Sequence, residues 1–174
     1  PSYTGQIVTM TYPQIGNYGV NADDMESKST HASALIVCEL SHMSSNWRAT
    51  QSLDEWLIKH RIPVLEGVDT RSLVKAIRSG GECSGLLVPS DSLHTLDELR
   101  EEALDLPSMV GQNLARQVST RKSYFWPSEE ENKPITVIAY DFGIKYNILR
   151  IMNSLGISVT VVPWNTSAEE VLEM

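Results

Sequence analysis

The sequence predicts an α/β protein in two parts, the second opening as strand, helix, strand, helix on a parallel sheet. Three observations carry this prediction. ITVIAY at 135–140 and ISVTVVP at 157–163 are continuous apolar runs of strand length, the pattern of parallel strands covered on both faces. From about Ile144 the residues between them repeat apolar positions at helical spacing and stop at Gly156. Ahead of position 107, short β-branched runs are interspersed with helices that carry their own capping signals.

In chain order, GQIVTMTYP alternates and is β-branched, a strand closed by Pro13. QIGNYGVNADD follows with turn-forming Gly16, Asn17, Gly19 and Asn21. ASALIVCEL, residues 32–40, reads as a buried strand. Ser52 with Glu55 three residues on is a capping box, opening a helix through Lys59 that aligns Leu53, Trp56 and Leu57. Residues 62–68 are a short extended piece broken by Pro63 and Gly67. Asp69 caps TRSLVKAIRSGG, with a stripe of Leu73, Val74 and Ile77 and a stop at Gly80 and Gly81. GLLVP, 85–89, reads as a further strand. Thr95 and Glu98 form a second capping box, ahead of LDELREEAL.

After Leu106 the pattern loosens. STRKSYFWPSEEENKP mixes charge, two prolines and an aromatic cluster at Tyr124, Phe125 and Trp126. The domain boundaries expected are therefore 1–122, a linker at 123–133, and 134–174. In the last segment Ile148, Leu149, Met152 and Leu155 should face inward, and Thr166 with Glu169 should cap the closing helix.

Composition sets outer limits. The 174 residues carry a net charge of −8, with 41% hydrophobic and 21% charged residues, ordinary for a globular chain. The acidic balance argues against a nucleic-acid binder, which needs a basic stripe, and against an anionic membrane surface. No apolar run approaches the length of a bilayer span, and PSYTGQIV lacks the basic segment and apolar core of a signal peptide. A cytosolic protein is the plain reading. Two cysteines permit one disulfide and no framework. Cys38, inside ALIVCEL, reads as a small core hydrophobe. Cys83 lies between glycines and the GLLVP run, and a structural role is favoured there too, since no histidine base is paired with either thiol in the sequence.

The residues alone offer little chemistry. His31, His42, His60 and His94 are scattered and not at ligand spacing, so no metal is expected. Asp141-Phe142-Gly143 matches the magnesium-holding tripeptide of protein kinases, but no Gly-rich loop or catalytic-loop signature precedes it. Gly143-Ile144-Lys145 lacks the earlier glycine and the following Ser/Thr of a phosphate loop. The acidic run at 129–131 reads as solvated. VDTR at 68–71 is read as a helix cap at Asp69 rather than a substrate clamp. For Asp141 a turn or helix-initiating cap and a role in shaping a site stand level.

Longer motifs go further. PSYTGQIVTMTYPQIGNYGVN, SNWRATQSLDEWL, GVDTRSLVKAIRSGG and VIAYDFGIKYNILR, in this order, resemble the small, glutamine-hydrolysing subunit of carbamoyl-phosphate synthetase, and TSAEEVL is similar too. The resemblance covers essentially the whole chain. It implies a small-subunit N-terminal β/α domain followed by the first β-α-β-α of a class I amidotransferase-like domain. The family's cysteine nucleophile and its histidine and glutamate are expected beyond Met174, and its N-terminal domain starts before a DPSY-like motif, so an internal fragment is expected. The serine of that motif contacts bound glutamine in the family, which implies Ser2 as glutamine-binding; an exposed turn is the plain reading without it.

The implied activity is hydrolysis of L-glutamine through a cysteine thioester, with ammonia passed to a large subunit. There it joins bicarbonate and ATP to make carbamoyl phosphate for arginine and pyrimidine synthesis. ATP and Mg or Mn are expected on the large subunit, with no cofactor in this chain. The partners expected are that subunit and glutamine, in the cytoplasm or, in a plant, a plastid. The alternative is a non-catalytic docking or regulatory module for the large subunit.

Overall fold

The computed structural model describes residues 1–81, 83–126 and 135–174. The acidic run at 129–131 and residues 127–133 of the expected linker lie outside them. The chain is a mixed α/β protein with parallel sheets. It forms two compact units, one of Gly5–Asp23 and Ala32–Gln112, the other of Pro1–Thr4, Asp24–His31 and Asn113–Met174.

The first unit runs β1 (Ile7–Thr9), β2 (Gln14–Ile15), β3 (Ala34–Ile36), β4 (Glu39–Leu40), α1 (Leu53–His60), β5 (Val64–Leu65), α2 (Thr70–Gly80) and α3 (Leu96–Asp105). Strands β1, β3 and β5 form a parallel sheet in that order, with Ile7 opposite Ala34 and Leu35 opposite Val64. Strands β2 and β4 form a second parallel pair.

Local signals set the helices. At α1, Glu55 N donates to Ser52 Oγ (3.2 Å) and Ser52 N to Glu55 Oε2 (3.1 Å), the reciprocal box expected. Leu57 is buried, with Leu53 and Trp56 half-buried on the same face. Asp69 caps α2, accepting from Ser72 N at 3.0 Å and Ser72 Oγ at 2.7 Å, and these bonds hold its carboxyl below the usual range. Thr95 and Glu98 close the same box on α3.

Three expectations fail in this unit, all for want of non-local information. The run at 32–40 is two strands. The chain turns after Val37, whose N–H donates to Leu65 O (2.9 Å), while Gly67 N donates to Cys38 O (3.1 Å). Burial then falls on Ala34, Val37 and Leu40, every third residue, and leaves Cys38 exposed rather than in the core. Cys83 is also exposed, its Sγ donating to Ser84 O at 3.3 Å. Residues 85–89 are not a strand. A strand needs a partner for its ladder, and Gly85 only passes beside the Ile7 side chain.

The second unit adds α4 (Leu114–Val118), β6 (Tyr124–Trp126), β7 (Ile135–Asp141), α5 (Tyr146–Ser154), β8 (Ile157–Pro163) and α6 (Ala168–Leu172). β7 and β8 run parallel from Ile135 opposite Ile157 to Asp141 opposite Pro163. The aromatic cluster inside the expected linker is strand β6, antiparallel on β8, with Tyr124 opposite Val161 and Trp126 opposite Val159. β8 is therefore central. Leu149, Val159 and Val161 are fully buried beneath Trp126, Tyr146 and Met152.

Helix α5 faces inward with Leu149 and Met152, as expected. Ile148 and Leu155 do not, at 45% and 70% exposed. Ile148 is one position off the buried face, and Leu155 is the C-cap, past the last turn. The closing helix is capped one residue later than expected. Ser167 and Glu170 form the box, while Thr166 Oγ1 donates to Pro163 O at 2.9 Å.

Segments distant in sequence join this unit, so the two units are not cut where the expected boundaries fall. Tyr146 N donates to Glu26 O (2.9 Å), and Thr120 N donates to Asp141 Oδ2 (2.7 Å). Those bonds bring in Asp24–His31 and residues ahead of 122.

Candidate functional site

The candidate site lies at the carboxyl end of β7, within the second unit. There the chain leaves the sheet and enters α5 through residues 142–145, so backbone N–H groups need partners. Asp141 supplies them. It is 6% exposed, and its Oδ1 accepts from Gly143 N and Ile144 N, each at 2.9 Å. Its Oδ2 accepts from Thr120 N at 2.7 Å, tying the segment after α4 to the strand end. All three contacts are main-chain, so this carboxylate holds a turn together. The likeness to a magnesium-holding tripeptide ends at the sequence.

Gly143 follows at φ +96°, a conformation that L side chains rarely adopt. A Cβ there would sit 2.9 Å from Pro1 Cβ and 2.9 Å from Val118 Cγ2. The missing side chain lets the turn at residues 1–4 seat against the strand end. That turn is closed by Thr4 N and Thr4 Oγ1, both donating to Pro1 O, at 3.2 and 2.6 Å. Ser2 is exposed within it. Pro1 lines the adjoining cavity and Ser2 does not.

The cavity is about 520 Å³ and is lined by Ser27, Lys28 and His31, by Thr120 and Arg121, and by Tyr124, Asp141 and Tyr146. Burial first, then the negative charge of Asp141 and the neighbouring Tyr146, push the Tyr124 hydroxyl up to about 12. It is a neutral donor at physiological pH. His31 is held below the usual imidazole range chiefly by burial, with Asp141 opposing. Lys28, Arg121 and Lys122 stand exposed at the edge. The set suits holding a small polar ligand, with a cationic edge and hydroxyl donors, better than moving protons.

Neither cysteine belongs to this unit. Among the described residues no group of three His, Cys, Asp or Glu could hold a metal ion, and no helix is long and apolar enough to cross a membrane. Sequence reasoning missed Lys28, His31, Thr120 and Tyr124 as cavity residues. They come from two segments about ninety positions apart, and the only signal was the polar run STRKSY before the aromatics.

A family model described as "Carbamoyl-phosphate synthase small chain, CPSase domain" matches residues 1–87. The chain belongs to the carbamoyl-phosphate synthase small-chain family. Its relatives include the carbamoyl phosphate synthase small chain of Syntrophotalea carbinolica, 43% identical over 185 residues, covering 100% of this chain and 49% of the relative. That of Akkermansia muciniphila is 46% identical over 184 residues, covering 100% and 48%. That of Synechocystis is 41% identical over 191 residues, covering 99% and 48%. The chain thus spans about half the length of these small chains. The alignments run through the whole second unit, of which the family model reaches only Pro1–Thr4 and Asp24–His31.

Proposed function

We propose that this chain carries the glutamine-facing portion of a glutamine-dependent carbamoyl-phosphate synthase. In this reading the small chain hydrolyses L-glutamine and hands ammonia to a large chain, which uses ATP and bicarbonate to make carbamoyl phosphate for arginine and pyrimidine synthesis. The observation that carries it is the seating on Gly143 of the Pro1–Thr4 turn, a turn that lies inside the family match. Ser2, the match to the family's serine, belongs to that turn, and in this reading it faces ligand at the carboxyl end of β7, the side on which open α/β sheets take ligands. Ser2 is proposed to bond the charged backbone groups of glutamine, and the cavity beside Pro1 to receive part of it. The nucleophile, its base and the oxyanion donors belong to sequence beyond Met174 in this proposal. ATP and its Mg or Mn are assigned to the large chain, and the complex to the cytoplasm, or a plastid in a plant.

Residues 1–174 alone are then expected to release no ammonia. In support, Cys83 Sγ donates to a neighbouring carbonyl oxygen rather than to a histidine. Ammonia release by the purified chain that disappears in Cys83→Ser would overturn this assignment.

The test of the whole reading pairs the complete small chain with its large chain and measures synthesis from glutamine and from free ammonia. Both routes should run. A complex that forms and uses ammonia, but never glutamine, would instead mark the chain as a docking or regulatory module.

A further inference from the structure

Helix α5 enters beside the cavity without a cap of its own, because Lys145 at its N-cap makes no side-chain bond to the helix. The partner comes from far away in sequence. Glu26 Oε2 accepts from Asn147 N at 2.9 Å, in the first turn of the helix, where the uncompensated N–H groups favour negative charge. The Glu26 carbonyl oxygen accepts from Tyr146 N at 2.9 Å. One turn further on, Arg150 returns to the same segment. Its Nη1 lies 3.3 Å from Glu26 Oε1, and its Nη2 donates to Met25 O at 2.7 Å. Four contacts on two consecutive residues fasten this strand-less segment to one helix. The residues immediately after the fastening, Ser27, Lys28 and Ser29, and then His31, form one wall of the cavity.

We infer that Glu26 is a positioning residue, and that the Glu26–Arg150 clamp holds segment Asp24–His31 in place as a wall of the ligand cavity. Glu26 itself does not line that cavity; it acts through the residues that follow it. The segment has no strand or helix of its own, so its order leans on these contacts to α5, three of which need the Glu26 or Arg150 side chain, and a wall so held controls how well a ligand fits. The link from wall to glutamine rests on the function proposed above.

Glu26→Ala, Glu26→Gln and Arg150→Met, in the complete small chain paired with its large chain, test the inference. Glu26→Ala should raise KM for glutamine about tenfold, the factor for a wall left ordered in roughly one molecule in ten, because apparent affinity falls with the competent fraction. The kcat with glutamine and the rate from free ammonia should hold. Amide exchange at residues 24–31 should accelerate in the same variant, while β8 stays protected. Glu26→Gln keeps an acceptor for Asn147 N and loses the ion pair, so it should fall between Glu26→Ala and the parent. Arg150→Met should free the segment with Glu26 intact.

Unchanged exchange at 24–31 in Glu26→Ala would overturn the clamp. Accelerated exchange with an unchanged KM would overturn the wall's part in glutamine binding. Equal loss from glutamine and from ammonia would make Glu26 a folding residue. A parent complex that never uses glutamine would refute the functional reading instead, and the exchange comparison would still decide the clamp.

Discussion

Replacing Asp141 separates an anchor from a reactive group. Its two oxygens take three main-chain N–H bonds at 2.7, 2.9 and 2.9 Å, in a side chain only 6% exposed. A hydrogen bond to a charged acceptor is worth about 1.5–3 kcal/mol when lost. Asp141→Asn keeps one carbonyl oxygen, enough for the Gly143 and Ile144 N–H groups that share Oδ1, but turns an NH₂ toward Thr120 N. Two donors then face each other, and the cost should be about 2 kcal/mol. Asp141→Ala orphans all three donors; water can reach part of the loop, so about 4 kcal/mol is expected. For a chain of this size each kcal/mol lowers the midpoint by roughly 2–4 °C. Thermal unfolding followed by circular dichroism should therefore rank parent above Asn above Ala. In the Asn variant, amide exchange should quicken at Thr120 while Gly143 and Ile144 stay protected. Equal midpoints for Asn and Ala, or shifts below about 2 °C for both, would refute the anchor.

Three further outcomes follow from the same unit. Because the folded protein raises Tyr124 to about 12, from an ordinary value of 10.0, the folded state binds its proton more tightly than the unfolded chain. That contribution to stability is complete below pH 10 and is lost as pH climbs through about 12, so urea midpoints should fall across this window, and less steeply in Tyr124→Phe. Gly143→Ala should cost about 1–3 kcal/mol, since a Cβ at φ +96° meets Pro1 and Val118; unfolding by urea within error of the parent would contradict the close approach. Ser167→Ala should destabilise α6 by about 1 kcal/mol and Thr166→Ala by less, read as amide exchange at 168–172; the reverse order would return the cap to Thr166.

What the sequence revealed of this fold was what chain neighbours decide. Ser52 with Glu55, Asp69 with Ser72, and Thr95 with Glu98 each act within three residues, so their helices were legible to within a residue or two. Strands β7 and β8 were legible because both are long and continuously apolar. Pairing was not legible. Tyr124–Trp126 becomes β6 because Val159 and Val161 lie opposite, thirty-odd residues on, and 85–89 stays irregular for lack of such a partner. Cys38 left the core when the chain turned at Val37 toward β5. The site was legible only as motifs. Nothing local in Glu26 announces that it fastens a helix 121 positions away. Asp141 carried two readings in the sequence, and its three main-chain bonds favour the turn.

The central claim is that the turn bearing Ser2 presents it to glutamine at the carboxyl end of β7. Its most direct test is Ser2→Ala in the complete small chain paired with its large chain, with synthesis measured from glutamine and from free ammonia. Losing one hydrogen bond to a charged group of glutamine should raise its KM roughly ten- to a hundredfold. The kcat should change little and the ammonia-driven rate should hold, because that route bypasses the glutamine site. Equal loss on both routes, or no change on either, would contradict the claim.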